Sequence, residues 1–430
     1  MPEQKFDAIV VGAGPAGSAC GYTLAKAGLD ILVVERGKFP GAKNMWGGAY
    51  YGPLIHELFP QYWEEAPVER FIKRRKFSFL TNDSALSVEF TTKRFAEPPY
   101  NGFSVLRAKF DRWLAAKAEQ AGAIVASGLQ ADDLLWEGGK VSGIKAGGDD
   151  IPAAVVVACD GANSILAEKA GLRSALSPKD MKQGIKEVIQ LSKELIDRRF
   201  NLTGKEGLSW EFLGTFTQGI PGGGFLYTNE DSLSIGVVVQ LSGLTEKNVR
   251  ADDLLEEFKL HPEVACLLKE GNMVEYSAHL IPVSGMSMIP ELYGDGILVA
   301  GDAAALILAT GLALEGANFA IASGAAAAET VIAAKKTGDF SKNSLAGYRS
   351  RLEQSFVLKD LKTFKKAPRF LENPRLYRQY PELLCKAAEN IFTNDGLPRE
   401  KTLKLLKDAM AGRISFLQIS KDLWQIKGSL

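Results

Sequence analysis

Residues Phe6 to Arg36, FDAIVVGAGPAGSACGYTLAKAGLDILVVER, constrain this chain more than any other stretch. Phe6 to Val11 is an apolar, β-branched run and reads as a buried strand. Gly12, Gly14 and Gly17 follow at G-x-G-x-x-G spacing. In such a turn the first glycine permits the tight bend and the second lets a pyrophosphate reach the backbone. The third lets the helix pack close to the strand. A helix is expected from about Pro15 to Gly28, with Pro15 in the first turn, where a missing N–H costs nothing. Its unpaired N–H groups and positive dipole end would face the phosphate. Ile31 to Val34 reads as the second strand, closed by Glu35, whose carboxylate can accept from both ribose hydroxyls of an adenosine. Gly12, Ala13, Gly14, Pro15, Ala16, Gly17, Glu35 and Arg36 are the contacts expected here. Glycine-rich turns are common, but strand, helix and acid together mark a dinucleotide site, with FAD and NAD both open.

At 430 residues the chain can form two or three domains. Its 51 basic and 51 acidic residues cancel, which removes any global attraction to nucleic acid. Cys20, Cys159, Cys266 and Cys385 are far apart, with no C-x-x-C pair, which argues against a metal or iron–sulfur site in this chain and for a reducing compartment. The first strand begins within a few residues of the N-terminus, so no signal peptide is expected. The most apolar region, Ala303 to Ala334, is interrupted by Gly311, Glu315, Gly316, Asn318 and Gly324, so any membrane contact is expected to be peripheral.

Beyond Glu35, the loop Gly37 to Gly52 is rich in glycine, and Pro53 to Trp63 has a short helix-and-turn pattern suited to a core edge. Alternation over Arg70 to Thr92 predicts two strands of a second sheet, and apolar spacing predicts a helix over Phe110 to Ala121. A meander over Ala131 to Ala158 runs into Asp160, Gly161 and Ser164. Lys182 to Leu241 is strand-like throughout, with Gly222-Gly223-Gly224 read as a turn presenting backbone N–H groups. Short helices follow over Asp252 to Leu260 and Pro262 to Lys269. Ile297 to Asp302 reads as a strand ending in Gly301-Asp302, and a long Ala-rich helix lies within Ala303 to Ala334. Ser344 to Leu430 looks helical. Within it Lys359 to Lys386 carries eight Lys/Arg against three Asp/Glu, either a solvated face or a membrane or partner patch.

Gly12–Gly17 with Glu35, Asp160-Gly161 with Ser164, and Gly301-Asp302 occur in an order that resembles the glutathione-reductase-type FAD proteins of the hydroxybenzoate hydroxylase branch. The resemblance implies that the three motifs hold the ADP half, the pyrophosphate and the ribityl chain, and that Arg107 precedes a helix beside the flavin. AKNMWGGAY, LRAKFDRWLAAKAEQAGA, GGGFLYTNEDSLSIGVVV and the GDAA segment further resemble FixC-type electron-transfer-flavoprotein:quinone oxidoreductases over nearly the whole chain.

That likeness implies an α/β fold: a discontinuous Rossmann-like FAD domain of glutathione-reductase type (1–50, 103–175 and 280–340), a second mixed β-sheet quinone domain (51–102 and 176–279) and a helical C-terminal region (341–430). It adds Lys43, Asn44, Gly47, Gly48 and Gly316 around the flavin, and Gly222 and Gly223 at the quinone headgroup. The Leu54–Trp63 patch and the Phe370–Phe392 helix would dip into a membrane. The cofactor implied is FAD, with a [4Fe–4S] cluster on a separate small ferredoxin-like subunit. Implied partners are the α and β subunits of an electron-transfer flavoprotein, a membrane quinone and the inner face of the cell membrane from the cytoplasmic side, plausibly in an electron-bifurcating NADH–ferredoxin–quinone complex. No side-chain acid or nucleophile is implied. Three rivals share parts of this reading: a geranylgeranyl or related prenyl-lipid reductase, an aromatic monooxygenase, and a flavin-bearing docking subunit. The absence of Cys from Lys43–Trp46 and the segment GGGFLY disfavour the first.

Overall fold

The computed structural model describes residues 5–43, 48–310 and 314–427. Two sheets organise them. In the first, Phe6–Val11 lies at the centre between Asp149–Ala158 and Ile31–Glu35, with Ile297–Val299 and Ile124–Ser127 outside; these five strands are parallel. Central parallel strands are covered on both faces, so they read as unbroken apolar runs. Ala8, Ile9 and Val10 are wholly buried, as are Val155, Val156 and Val157. The helix Pro15–Lys26 covers one face, and against it lies the long helix Ala317–Thr337.

That second helix is long and apolar enough to cross a membrane, yet it is a core helix here, with Phe319, Ile321, Ala327, Ala328 and Val331 wholly buried. It begins at Ala317, well after Gly301–Ala304 has formed a short 3-10 turn.

The second sheet has nine strands, ordered Asn272–Pro282, Met181–Gln190, Ser232–Gln240, Gly222–Thr228, Glu206–Gly214, Arg70–Leu80, Phe103–Ser104 and Ala49–Tyr50, with Ala85–Thr91 also on Arg70–Leu80. Glu206–Gly214 runs parallel to Arg70–Leu80 and the remaining pairs are antiparallel, so the sheet is mixed. Ala49–Tyr50 and Phe103–Ser104 pair with each other in this sheet.

Three local expectations are corrected. Gly222-Gly223-Gly224 is no turn: it opens the strand Gly222–Thr228, paired to Val239, Val238 and Val237. Lys193–Phe200 is a helix inside the stretch read as all strand; Ser192 caps it by accepting from the Leu195 N–H, and Ile196 and Phe200 are its buried side. Leu54–Trp63 is the core edge its own pattern predicts and not the membrane patch the resemblance implies, with Ile55, Phe59 and Tyr62 buried and the Phe59 ring 5.2 Å from that of Trp113. Instead, the exposed apolar side chains cluster at the C-terminus, where Phe392, Leu403, Phe416, Leu417 and Trp424 are each more than two-thirds exposed. The last helix, Phe416–Ile426, is tied back by Asp422, which takes a bidentate bond from Arg375 at 2.7 and 2.5 Å and one from the Tyr380 hydroxyl at 2.9 Å.

Candidate functional site

Parallel strands end on one edge, and that is why motifs far apart in sequence meet. Gly12 follows Val11, Cys159-Asp160 follows Ala158, and Gly301-Asp302 follows Val299, all on neighbouring strands. At Gly12, φ is +100° and a Cβ would strike the Cys159 carbonyl; at Gly17 it would strike the Gly12 carbonyl. By contrast a Cβ on Gly14 would meet nothing within 4 Å, so that face of the turn opens into free space. Pro15 starts the helix and Ala16 lies beneath it, a Cβ at Gly301 falling 2.9 Å from that of Ala16.

Glu35 is buried at the end of its strand. One carboxylate oxygen accepts from the Ala13 N–H at 3.0 Å and the other from the Gly37 N–H at 2.6 Å. These bonds aim the carboxylate while leaving lone pairs for a ribose. Arg36 and Lys43 are exposed. Asn44 and Gly47 lie outside the described residues, whereas Gly48 stands beside Tyr227.

The middle motif carries polar atoms that lack partners. Asp160 Oδ2 accepts from the Leu166 N–H at 3.0 Å, but Oδ1 is buried without a hydrogen bond. Ser164, in a left-handed conformation at φ 45°, has a buried, unpartnered hydroxyl. Burial raises the Asp160 carboxyl above its usual range against the pull of the Leu166 N–H and Arg173. Buried polar groups are seldom left unsatisfied, so these atoms await a polar ligand. The Ser164 hydroxyl and the open faces of Gly14 and Gly161 fit the pyrophosphate of FAD, whereas the Asp160 oxygen, an acceptor, fits a hydroxyl of the cofactor.

Asp302 is raised by burial, opposed by the charge of Arg107. Arg107 itself is clamped to Asp111 by two bonds of 2.8 and 2.7 Å. Gly316 caps Ala317–Thr337, and a Cβ there would sit 3.7 Å from Asp302 Oδ1. FAD bound along these groups would supply reversible electron uptake; the chain's own part is to hold it, orient it and screen it from water.

One cavity of about 1740 Å³, counting its open mouth, runs from Gly14, Gly161 and Asp302 to Gly222, Gly223 and Gly224. Its floor is the second sheet. Gly223, Val238, Gly184 and His279 form one row across four strands. Side chains unforeseen from sequence also line it: Tyr51, Arg75, Lys182, Glu211, His279 and Glu315. Arg75 pairs with Glu211 at 3.0 Å, Ser209 donates to the same carboxylate at 2.7 Å, and Tyr51 donates to Glu315 at 3.3 Å. The signal for two of them was present, since Arg75 shares a strand face with Phe77, and Glu211 with Leu213. Burial lowers the His279 imidazole to about 4, with Arg107 and Arg36 adding to the shift, and its Nε2 has no partner. Among the described residues there is no cluster of potential metal ligands.

Residues 367–429 match the model of the ETF-QO/FixC family C-terminal domain, and residues 10–71 that of an NAD(P)-binding Rossmann-like domain. The chain is 44% identical over 429 residues to a probable electron transfer flavoprotein-quinone oxidoreductase, YdiS, of Escherichia coli, covering 100% of this chain and 99% of that protein. It is 45% identical to Protein FixC of the same organism over 98% of each. The chain belongs to the ETF-QO/FixC family. As such it is an FAD-dependent oxidoreductase that transfers electrons. Among solved structures, a geranylgeranyl bacteriochlorophyll reductase-like protein from Thermoplasma acidophilum aligns with a TM-score of 0.74 over 99% of this chain and all of its own, at 22% identity. The flavin-dependent brominase Bmp2 aligns at 0.63 and 17%, covering 95% of this chain and 98% of its own. At such identities these two likenesses concern the fold alone, so they add nothing for a prenyl reductase.

Proposed function

We propose that this chain takes electrons from an electron-transfer flavoprotein, holds them on FAD and delivers them to a membrane quinone. The observation that carries this reading is the single cavity joining the strand-end motifs to the glycine-floored sheet. A flat floor with little side-chain bulk suits a planar headgroup, and Phe77, Leu213, Val238, Ile281 and Leu371 supply apolar walls for it. In this reading the parallel sheet is the FAD domain of glutathione-reductase type and the nine-stranded sheet the quinone domain. Gly222 and Gly223 belong to the quinone end. The cluster is carried by a separate ferredoxin-like subunit, and the assembly bifurcates electrons between ferredoxin and quinone.

The membrane side is the C-terminal region. Phe392, Leu403, Phe416, Leu417 and Trp424 stand out among the exposed lysines Lys401, Lys404, Lys407 and Lys421, a combination suited to the anionic inner face of a membrane. The test is anaerobic mixing of reduced electron-transfer flavoprotein, holoprotein and a menaquinone analogue. Quinol is expected only when all three are present. Electrons that reach the flavin and stop there would refute the quinone assignment, and NAD(P)H oxidation with oxygen by the isolated chain would point to a monooxygenase.

A further inference from the structure

Lys182 stands apart from the cations near it. Arg75, Arg107 and Lys186 each have a carboxylate at contact distance. The Lys182 ammonium has no hydrogen-bond or ion-pair partner among the described residues. It shares a strand face with Gly184, so it projects from the same side of the sheet as the Gly223–Val238–Gly184–His279 row, one step further along. A second, much smaller cavity adjoins the first, and Lys182, Leu314 and Leu371 line both. The smaller cavity reaches the surface at Lys179 and Glu372, both exposed. Lys182 thus stands between the proposed quinone chamber and a route to solvent.

The titratable groups around it come from several elements: Glu372 and Tyr377 from the C-terminal segment, Lys179 from the preceding turn, and His279 from the neighbouring strand. Tyr377 donates its proton to the Leu371 carbonyl, and burial keeps it un-ionised. Burial also keeps His279 neutral. Burial lowers Lys182 to about 8, opposed among the described residues by the charge of Glu372. An ammonium has three donors and no other use for them here.

We propose that Lys182 is the proton donor to the quinone, a catalytic residue touching one carbonyl oxygen of the headgroup. This rests on the quinone reading above. Reduction of a quinone to its quinol requires two electrons and two protons. Both electrons and one proton would come from reduced FAD held at the strand-end motifs. Lys182 supplies the other: an N–H bond breaks, an O–H bond forms at the carbonyl oxygen, and the lysine is left as a neutral amine. It regains its proton from water in the smaller cavity. A general acid must be protonated to act, so quinone reduction is high below the lysine's pKa and falls above it.

The experiment compares wild-type holoprotein with Lys182→Met and Lys182→Arg. Lysine titration is followed by NMR after reductive methylation, with Lys182→Arg identifying the signal, and oxidation of the pre-reduced protein by a menaquinone analogue is followed across pH. Lys182 is expected to titrate near 8, and wild-type quinone reduction to fall through the same range. Lys182→Met is expected to lose about 10²-fold in rate and the pH limb with it, while keeping its FAD. Lys182→Arg keeps the charge but holds its proton too tightly, so its KM stays close to wild type while its kcat drops. A Lys182→Met profile that tracks wild type overturns the proposal, as does titration near the ordinary ~10.4. If the wild type reduces no quinone analogue while Lys182 still titrates near 8, the quinone reading itself has failed and the proposal falls with it.

Discussion

Arg107 and Asp111 show how much of this site is held by single side chains. Both are nearly fully buried, and their forked contact lies beside Asp302, where the flavin half of the cofactor would run. Removing one member strands the other charge in a dry site, which costs about 3–5 kcal/mol, whereas replacing both by apolar groups of similar size is often tolerated. Arg107→Met is therefore expected to lower the thermal unfolding midpoint clearly, and Arg107→Met with Asp111→Leu to recover most of it. Calorimetry on the three proteins checks this; equal losses in the single and double variants would mean that the pair is not a coupled unit. Glu35 is held in a comparable way, since each of its oxygens is aimed by a backbone N–H before any ribose arrives.

Among elements, the contact between Pro15–Lys26 and Ala317–Thr337 matters most, because it fixes the helix N-terminus that would face the pyrophosphate of FAD. At Gly324 a Cβ would collide with the Ala16 backbone, falling 2.8 Å from its carbonyl carbon. Alanine gains about 1 kcal/mol over glycine in helix propensity, yet forcing a methyl into a packed contact costs about 1–3 kcal/mol. Overpacking should win. Gly324→Ala is expected to unfold at lower temperature and to bind FAD more weakly, measured by flavin fluorescence; higher stability with normal FAD content would contradict the close packing.

The strand-end motifs were legible because each is local, a few glycines and acids whose spacing alone dictates a turn. Lys182 was not, and for Arg75 and Glu211 alternation gave the strand face but not the role, because each acquires its role from strands distant in the chain: Glu211 faces Phe77 and Phe225 only through sheet register. Gly222–Gly224 was misread for a related reason. Three glycines permit a turn, and only pairing with Val237–Val239 makes them a strand. The helix Lys193–Phe200 was hidden by the strands on either side, although Ser192 ahead of Leu195, Ile196 and Phe200 carries its cap and apolar spacing.

For the whole molecule, two surfaces would take opposite tasks: an inward glycine floor for the acceptor and an outward apolar, basic C-terminal face for the membrane. Exchanging Phe416, Leu417 and Trp424 for serine should release the protein from anionic liposomes in flotation while leaving its flavin spectrum unchanged. Undiminished flotation would remove that face from the account. The central claim, that one cavity joins cofactor and quinone, is tested most directly inside the cavity. Gly222 is a poor place to probe, since a Cβ there strikes the Val238 carbonyl and would disturb the sheet. Val238 already projects into the cavity beside Gly223, so Val238→Trp fills the floor without touching the strand-end motifs. The decisive measurement is reoxidation of the reduced Val238→Trp holoprotein by a menaquinone analogue in stopped flow. The account predicts normal FAD content and normal reduction by electron-transfer flavoprotein, with reoxidation by quinone slowed at least about tenfold, the loss of ~1.4 kcal/mol in transition-state binding. Reoxidation at the wild-type rate would contradict it.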